Sequence, residues 1–183
     1  MELWIVLAVL VVVGVVAVSL YNGLVRRRVR CDQAWSDIDT QLKRRHDLIP
    51  NLVETVKGYA AHERGVFEKV TEMRSRAMGA GTPAQAAQAE GLLTQALRGL
   101  FAVAEAYPDL KANQNFLALQ QSLAETENLV AGSRGVYNAA VRDLNTRVQT
   151  VPANLIANMF NFSPREFFEL EDAAERAVPQ VRF

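Results

Sequence analysis

The chain has 183 residues, a formal net charge of zero, one cysteine and few aromatic residues. One cysteine excludes an intramolecular disulfide framework, and the lack of a global basic field argues against a nucleic-acid partner. Ala, Leu, Val, Gln and Glu dominate, and no run joins β-branched alternation to hairpin turns, so the expectation is an all-α fold: one domain plus an attachment segment.

The attachment segment comes first. Residues 3–20, "LWIVLAVLVVVGVVAVSL", contain no charge; as a helix, 18 residues extend ~27 Å, close to the hydrocarbon thickness of a bilayer. A signal peptide would open on a basic region and carry a shorter apolar run, whereas this chain opens "MEL". Cleavage after Ala17-Val18-Ser19 is the competing reading. Trp4 and Tyr21 mark the two ends, where aromatic anchors belong. Arg26, Arg27, Arg28 and Arg30 all follow the segment; against Glu2 they leave residues 1–30 with three net positive charges and the remainder with three net negative ones. The positive-inside rule then places the N-terminus outside and the body in the cytoplasm. The same arginines are positioned to meet anionic lipid headgroups. Cys31 follows them as a juxtamembrane seam residue, with a reactive thiol as the alternative, because arginines lower a thiol pKa.

Downstream, apolar positions recur in sevens. One row is Trp35, Leu42, Ile49, Val56, Glu63, Val70 and Ala77, and the other is Ile38, Arg45, Leu52, Tyr59, Val66 and Met73. This a/d pattern predicts one long bundle helix of about 50 residues, ~75 Å, ending at "GAGTP". Gly79 is the expected cap, Thr82 the next N-cap and Pro83 the first residue of a new helix. Pro50 cannot donate to the carbonyl of His46 and is expected to kink the helix. His46 and His62 lie sixteen residues apart, about 160° around a straight helix, which opposes a shared metal site.

A second, alanine-rich helix is predicted over 84–107, with Leu92, Leu93, Ala96, Leu97, Leu100, Phe101 and Ala104 on its apolar face. "YPDLKAN" breaks it, and Asp109 or Asn113 can cap the next helix. That third helix runs from about Gln114 to Val151, with rows through Phe116, Leu123, Val130, Tyr137, Leu144 and through Gln120, Glu127, Arg134, Val141, Val148. Pro152 stops it. "NLIANMFNF" reads as a short apolar helix, and Ser163, Pro164 and Glu166 as the capping box of a last helix reaching about Val178 before an extended tail. Ile156, Met159, Phe160, Phe162, Phe167 and Phe168 form either a cap on the bundle end or an exposed partner surface.

Four charges interrupt the seams: Arg45, Glu63, Glu127 and Arg134. Ion pairs among them, fixing helix register, are the expectation, with a proton or ligand site inside the bundle as the alternative. The first helix is about twice the length of the second, so its seam near Trp35, Ile38 and Leu42 is expected to lack an intrachain partner and to serve self-association.

The membrane segment followed by "YNGLV", "QLKRRHDLIPNLVETVKGYAAHE", "AVAEAYPDLKANQNFLALQQSLAETENLVAGSRGVYNAAVRDLN" and "VPANLIA" resembles the LemA family of bacterial membrane proteins over nearly the whole chain. By that resemblance the family positions include Tyr21, Asn22, Arg45, Leu48, Pro50, Asn51, Leu52, Glu63, Tyr107, Pro108, Asn113, Glu127, Asn128, Arg134, Tyr137 and Asn138. Val151 stands where the family usually has an aromatic residue. The resemblance implies a helical bundle on an N-terminal anchor, with no established enzymatic activity.

Taken together, the expectation is a transmembrane anchor over residues 1–25, then an antiparallel bundle of three to four helices over 26–183. Its role is that of a noncatalytic scaffold in the bacterial inner membrane, with no catalytic residue, metal or cofactor. Its partners are the bilayer, further copies of itself and other membrane proteins. A membrane-bound sensor or enzyme using the charged interior is the alternative. An outward-facing envelope protein follows only if the positive-inside reading fails.

Overall fold

The computed structural model describes residues 1–169. Among them the elements are all helical: α1 Glu2–Lys57, α2 Arg64–Met78, α3 Pro83–Glu105, α4 Pro108–Lys111, α5 Gln114–Gln149 and α6 Ala153–Met159. The described residues divide into two units, one of residues 1–38 with 133–166, the other of residues 39–132 with 167–169. Helices α1 and α5 contribute to both.

In the unit of residues 39–132 a single apolar core collects Ile49, Leu52 and Val56 from α1, Phe67, Val70 and Met73 from α2, Leu93, Leu97 and Leu100 from α3, Leu110 from α4, and Phe116 and Leu123 from α5. Full burial of such a side chain stabilises by about 1.5–3 kcal/mol, so this core, rather than helix propensity, holds the short helices. The α2–α3 turn follows the sequence signals. The Gly79 N–H bonds the carbonyls of Ser75 and Arg76, the Thr82 hydroxyl accepts from the Gln85 N–H, and Pro83 opens α3. Asn113 caps α5 by accepting from the Phe116 N–H at 3.0 Å.

One expectation needs correction here. The predicted 50-residue helix is interrupted: α1 stops at Lys57 and α2 starts at Arg64. Val56 O takes the N–H groups of Tyr59 and Ala60, which closes the last turn. Ala60 is buried, and the Tyr59 hydroxyl accepts from Asn113 Nδ2 at 2.9 Å. The seven-residue period counted straight through the break because Val56 and Val70 face the same core. The helix also continues through Pro50. The carbonyl that Pro50 leaves free, that of His46, accepts from Arg74 Nε at 2.8 Å, so α2 supplies the missing donor.

In the other unit, α1 carries the apolar stretch, none of it buried, and is long and apolar enough to cross a bilayer. Further along, α1 meets α5 antiparallel. The Trp35 and Tyr137 rings lie 5.4 Å apart, and Arg27 Nε lies 3.0 Å from Asp143 Oδ2. Leu24, Cys31, Val141 and Leu144 are buried. Near the end of the apolar stretch, the Tyr21 ring packs on Phe160 at 4.8 Å and on Phe162 at 5.8 Å.

The capping-box helix at Ser163 is absent, and residues 162–169 have no regular structure. Other partners take the backbone groups that a helix would have paired. Asn145 Oδ1 accepts from the Arg165 N–H at 2.8 Å and Asn145 Nδ2 donates to the Arg165 carbonyl at 2.9 Å. The Tyr137 hydroxyl donates to the Glu166 carbonyl at 2.9 Å, and the Arg165 side chain pairs with Asp32 at 2.7 Å. The predicted helix beyond Glu169 and the extended tail lie outside the described residues.

Candidate functional site: a buried charged cluster on α1 and α3

Neighbours on α1, Arg45 and His46 are 4% and 5% exposed, and both reach Glu90 of α3, which is 2% exposed. Arg45 Nη1 donates to Glu90 Oε2 at 3.0 Å, and His46 Nε2 lies 2.5 Å from Glu90 Oε1. One carboxylate therefore serves two cationic or donor groups with its two oxygens, and the His46 tautomer protonated on Nε2 donates to it. Arg45 Nη2 donates to the Thr94 hydroxyl at 2.8 Å, and it also lies 2.8 Å from Glu127 Oε2 on α5. Glu127 is half exposed. Beside it a cleft of about 230 Å³ opens between α3 and α5, lined by Arg45, Arg98, Phe101, Gln120 and Glu127 among others. Arg45 Nε is buried without a partner among the described residues.

Of the four seam charges, the geometry brings together Arg45 and Glu127. Glu63 is the N-cap residue of α2, without a side-chain capping bond. Arg134 belongs to the other unit, partly buried on α5. Cys31 is fully buried. Burial pushes its thiol up, and the nearby Arg165 guanidinium only partly opposes that. A raised pKa leaves little thiolate, which removes the basis for a reactive thiol.

Arg26, Arg28 and Arg30 are exposed, while Arg27 is engaged with Asp143 and the Gly23 carbonyl. The Trp35, Ile38 and Leu42 seam is a correction. Ile38 is 0% and Leu42 5% exposed, and the half-buried Trp35 packs its ring, tilted, on Tyr137, so the seam does not lack an intrachain partner. α1 ends at Lys57, and α5, which runs antiparallel to it, supplies Tyr137 beside Trp35.

The model of the LemA family matches residues 34–183. The chain belongs to the LemA family. Two relatives, the magnetosome proteins MamQ 1 and MamQ 2 of Paramagnetospirillum magneticum strain AMB-1, are each 27% identical over 96% of this chain and 76% of their own length. The Protein LemA of Metamycoplasma hominis is 24% identical over 85% of this chain and 73% of its own.

In this LemA-family chain, sequence reasoning missed Glu90, His46 and Thr94 as members of the cluster. A signal for Glu90 existed: it precedes Leu93, Leu97, Leu100 and Ala104 at alternating three- and four-residue steps, which puts a carboxylate on the buried stripe of α3. No spacing on α1 points His46 towards it.

Proposed function

We propose that this chain is a noncatalytic, membrane-anchored helical scaffold that assembles with further copies of itself or with other membrane proteins. The observation that carries the reading is the continuity of α1. One helix holds the unburied apolar stretch and, downstream, Ile49, Leu52 and Val56 of the packed core. Within the unit of residues 1–38 and 133–166, the span runs without a linker into helix packed on α5, which ties that unit to the bilayer. By the positive-inside rule, the exposed arginines after the span support a body on the cytoplasmic side of a bacterial inner membrane. The Arg45 cluster fits the same reading, because both Nη groups of Arg45 are engaged by Glu90, Thr94 and Glu127, which set the register of α1, α3 and α5. Neither the family description nor the relatives' names are those of an enzyme.

The native mass of the full-length protein in mild detergent tests the assembly. A discrete species larger than one chain with its detergent is expected, and a monomer at every concentration would overturn it. A ligand sensor is the second reading, favoured by the cleft beside Arg45 and Glu127. It requires Glu127→Gln to abolish a ligand response while leaving the unfolding midpoint in place.

A further inference from the structure

Helix α6 is built the wrong way round for a helix that packs against its own protein on one side and faces water on the other. Its small residues Ala153 and Ala157 are fully buried. Its larger apolar neighbours face outward, with Val151 76%, Leu155 64%, Met159 71% and Phe160 52% exposed. Positions 155 and 159 lie one four-residue step apart on one helical face, and Val151 lies just before the helix. A contiguous outward apolar face of this kind marks an interaction surface.

The position of α6 identifies what covers it. α5 runs antiparallel to α1, with Tyr137 beside Trp35 and Asp143 beside Arg27. Continued to its end at Gln149, this register brings the chain back to the level of Tyr21. The ring contacts of Tyr21 with Phe160 and Phe162 fix α6 at that level. Tyr21 directly follows the apolar stretch 3–20, and a span of ~27 Å through that stretch puts it at the boundary between hydrocarbon and headgroups. The exposed Arg26, Arg28 and Arg30 lie roughly 8–14 Å further along the helix, at the depth of the phosphates and beyond.

We infer that α6 is a second membrane contact: Val151, Leu155, Met159 and Phe160 sink into the headgroup–acyl boundary of the bilayer that α1 crosses. The bilayer then holds the chain at two points, the span and an interfacial helix beside it, and the second point stops the unit of residues 1–38 and 133–166 from pivoting about the span. Short interfacial helices bind in this way through their apolar face, with nearby basic residues adding attraction to anionic lipid.

The inference rests on α1 spanning the membrane, and the experiment separates the two. Full-length protein lacking its native thiol (Cys31→Ala) is spin-labelled singly at Leu155→Cys, Met159→Cys, Val11→Cys or Asp37→Cys. Each variant is reconstituted in vesicles of phosphatidylethanolamine and phosphatidylglycerol, and the label's accessibility to oxygen and to a water-soluble nickel chelate is compared. Labels at 155 and 159 should favour oxygen, as the label at 11 does, while the exposed position 37 favours the chelate. Labels at 155 and 159 that behave like position 37, with position 11 still in lipid, would overturn the α6 contact and leave the anchor standing. Labels at 155 and 159 shielded from both reagents and broadened by spins in neighbouring copies would give the face to a second chain and equally overturn it. A chelate-accessible label at 11 would overturn the anchor itself.

Discussion

At the scale of the residue, the chain concentrates its cost in Glu90. This side chain is 2% exposed and accepts from both Arg45 and His46, so its removal leaves the buried His46 imidazole without its acceptor and Arg45 Nη1 without its buried counter-ion. Glu90→Ala is expected to lower the free energy of unfolding by about 3–5 kcal/mol, read from urea denaturation. Glu127 shares Arg45 but is half exposed to water, and Glu127→Gln should cost no more than about 1 kcal/mol. Equal losses for the two would show that the cluster is hydrated in solution. Burial sets the behaviour of Cys31 and Tyr137 as well. Both are pushed above their ordinary pKa, first by desolvation. In the folded state they hold protons that the unfolded chain releases, so the stability they contribute is intact below pH 9.0 and declines as pH rises through the raised values. Unfolding midpoints measured across that alkaline range should fall less steeply in Cys31→Ala and in Tyr137→Phe. Iodoacetamide should leave Cys31 unmodified in the native protein and alkylate it in denaturant.

At the scale of the element, α1 shows how a helix carries an interior proline. Pro50 removes the donor for the His46 carbonyl, and Arg74 of α2 replaces it. The two substitutions are therefore coupled. Arg74→Met should destabilise the natural chain, because it leaves a carbonyl unpaired, and should cost less in a Pro50→Ala background, where residue 50 regains its N–H. A double-mutant cycle by thermal denaturation should return a coupling of about 1 kcal/mol, and a value near zero would show that water already serves the carbonyl. The caps followed local rules. Thr82, Pro83 and Asn113 act through backbone groups within three residues of themselves, so their role was legible before any tertiary contact was known. Residues 163–166 carried an equally good helix signal and did not form one. Asn145 and Tyr137, distant in sequence, take the backbone groups of Arg165 and Glu166 instead.

At the scale of the whole molecule, the chain combines an apolar helix with no protein around it and a set of helices closed over a buried core. The contrast of surface is what divides anchor from body. It also makes the outward apolar face of α6 informative, since exposed Leu155 and Met159 opposite buried Ala153 and Ala157 would have no such meaning in a chain without a span. The break at residues 58–63 matters at this scale too, because it turns one long predicted rod into the pair α1 and α2, with Phe67, Val70 and Met73 brought into the core that Ile49, Leu52 and Val56 already line.

The sequence by itself determined the helical class, the apolar segment 3–20, the caps around 79–83 and at Asn113, and most of the buried seam, because these depend on periodicity and on hydrogen bonds between near neighbours. Only the tertiary structure decided that Glu90 and His46 join Arg45, that Arg74 serves the carbonyl freed by Pro50, that Ile38 and Leu42 are covered, and which face of α6 is left bare. Each of those outcomes turns on partners tens of residues away, and the identity of a distant partner is fixed by how the helices pack rather than by the spacing along any one of them.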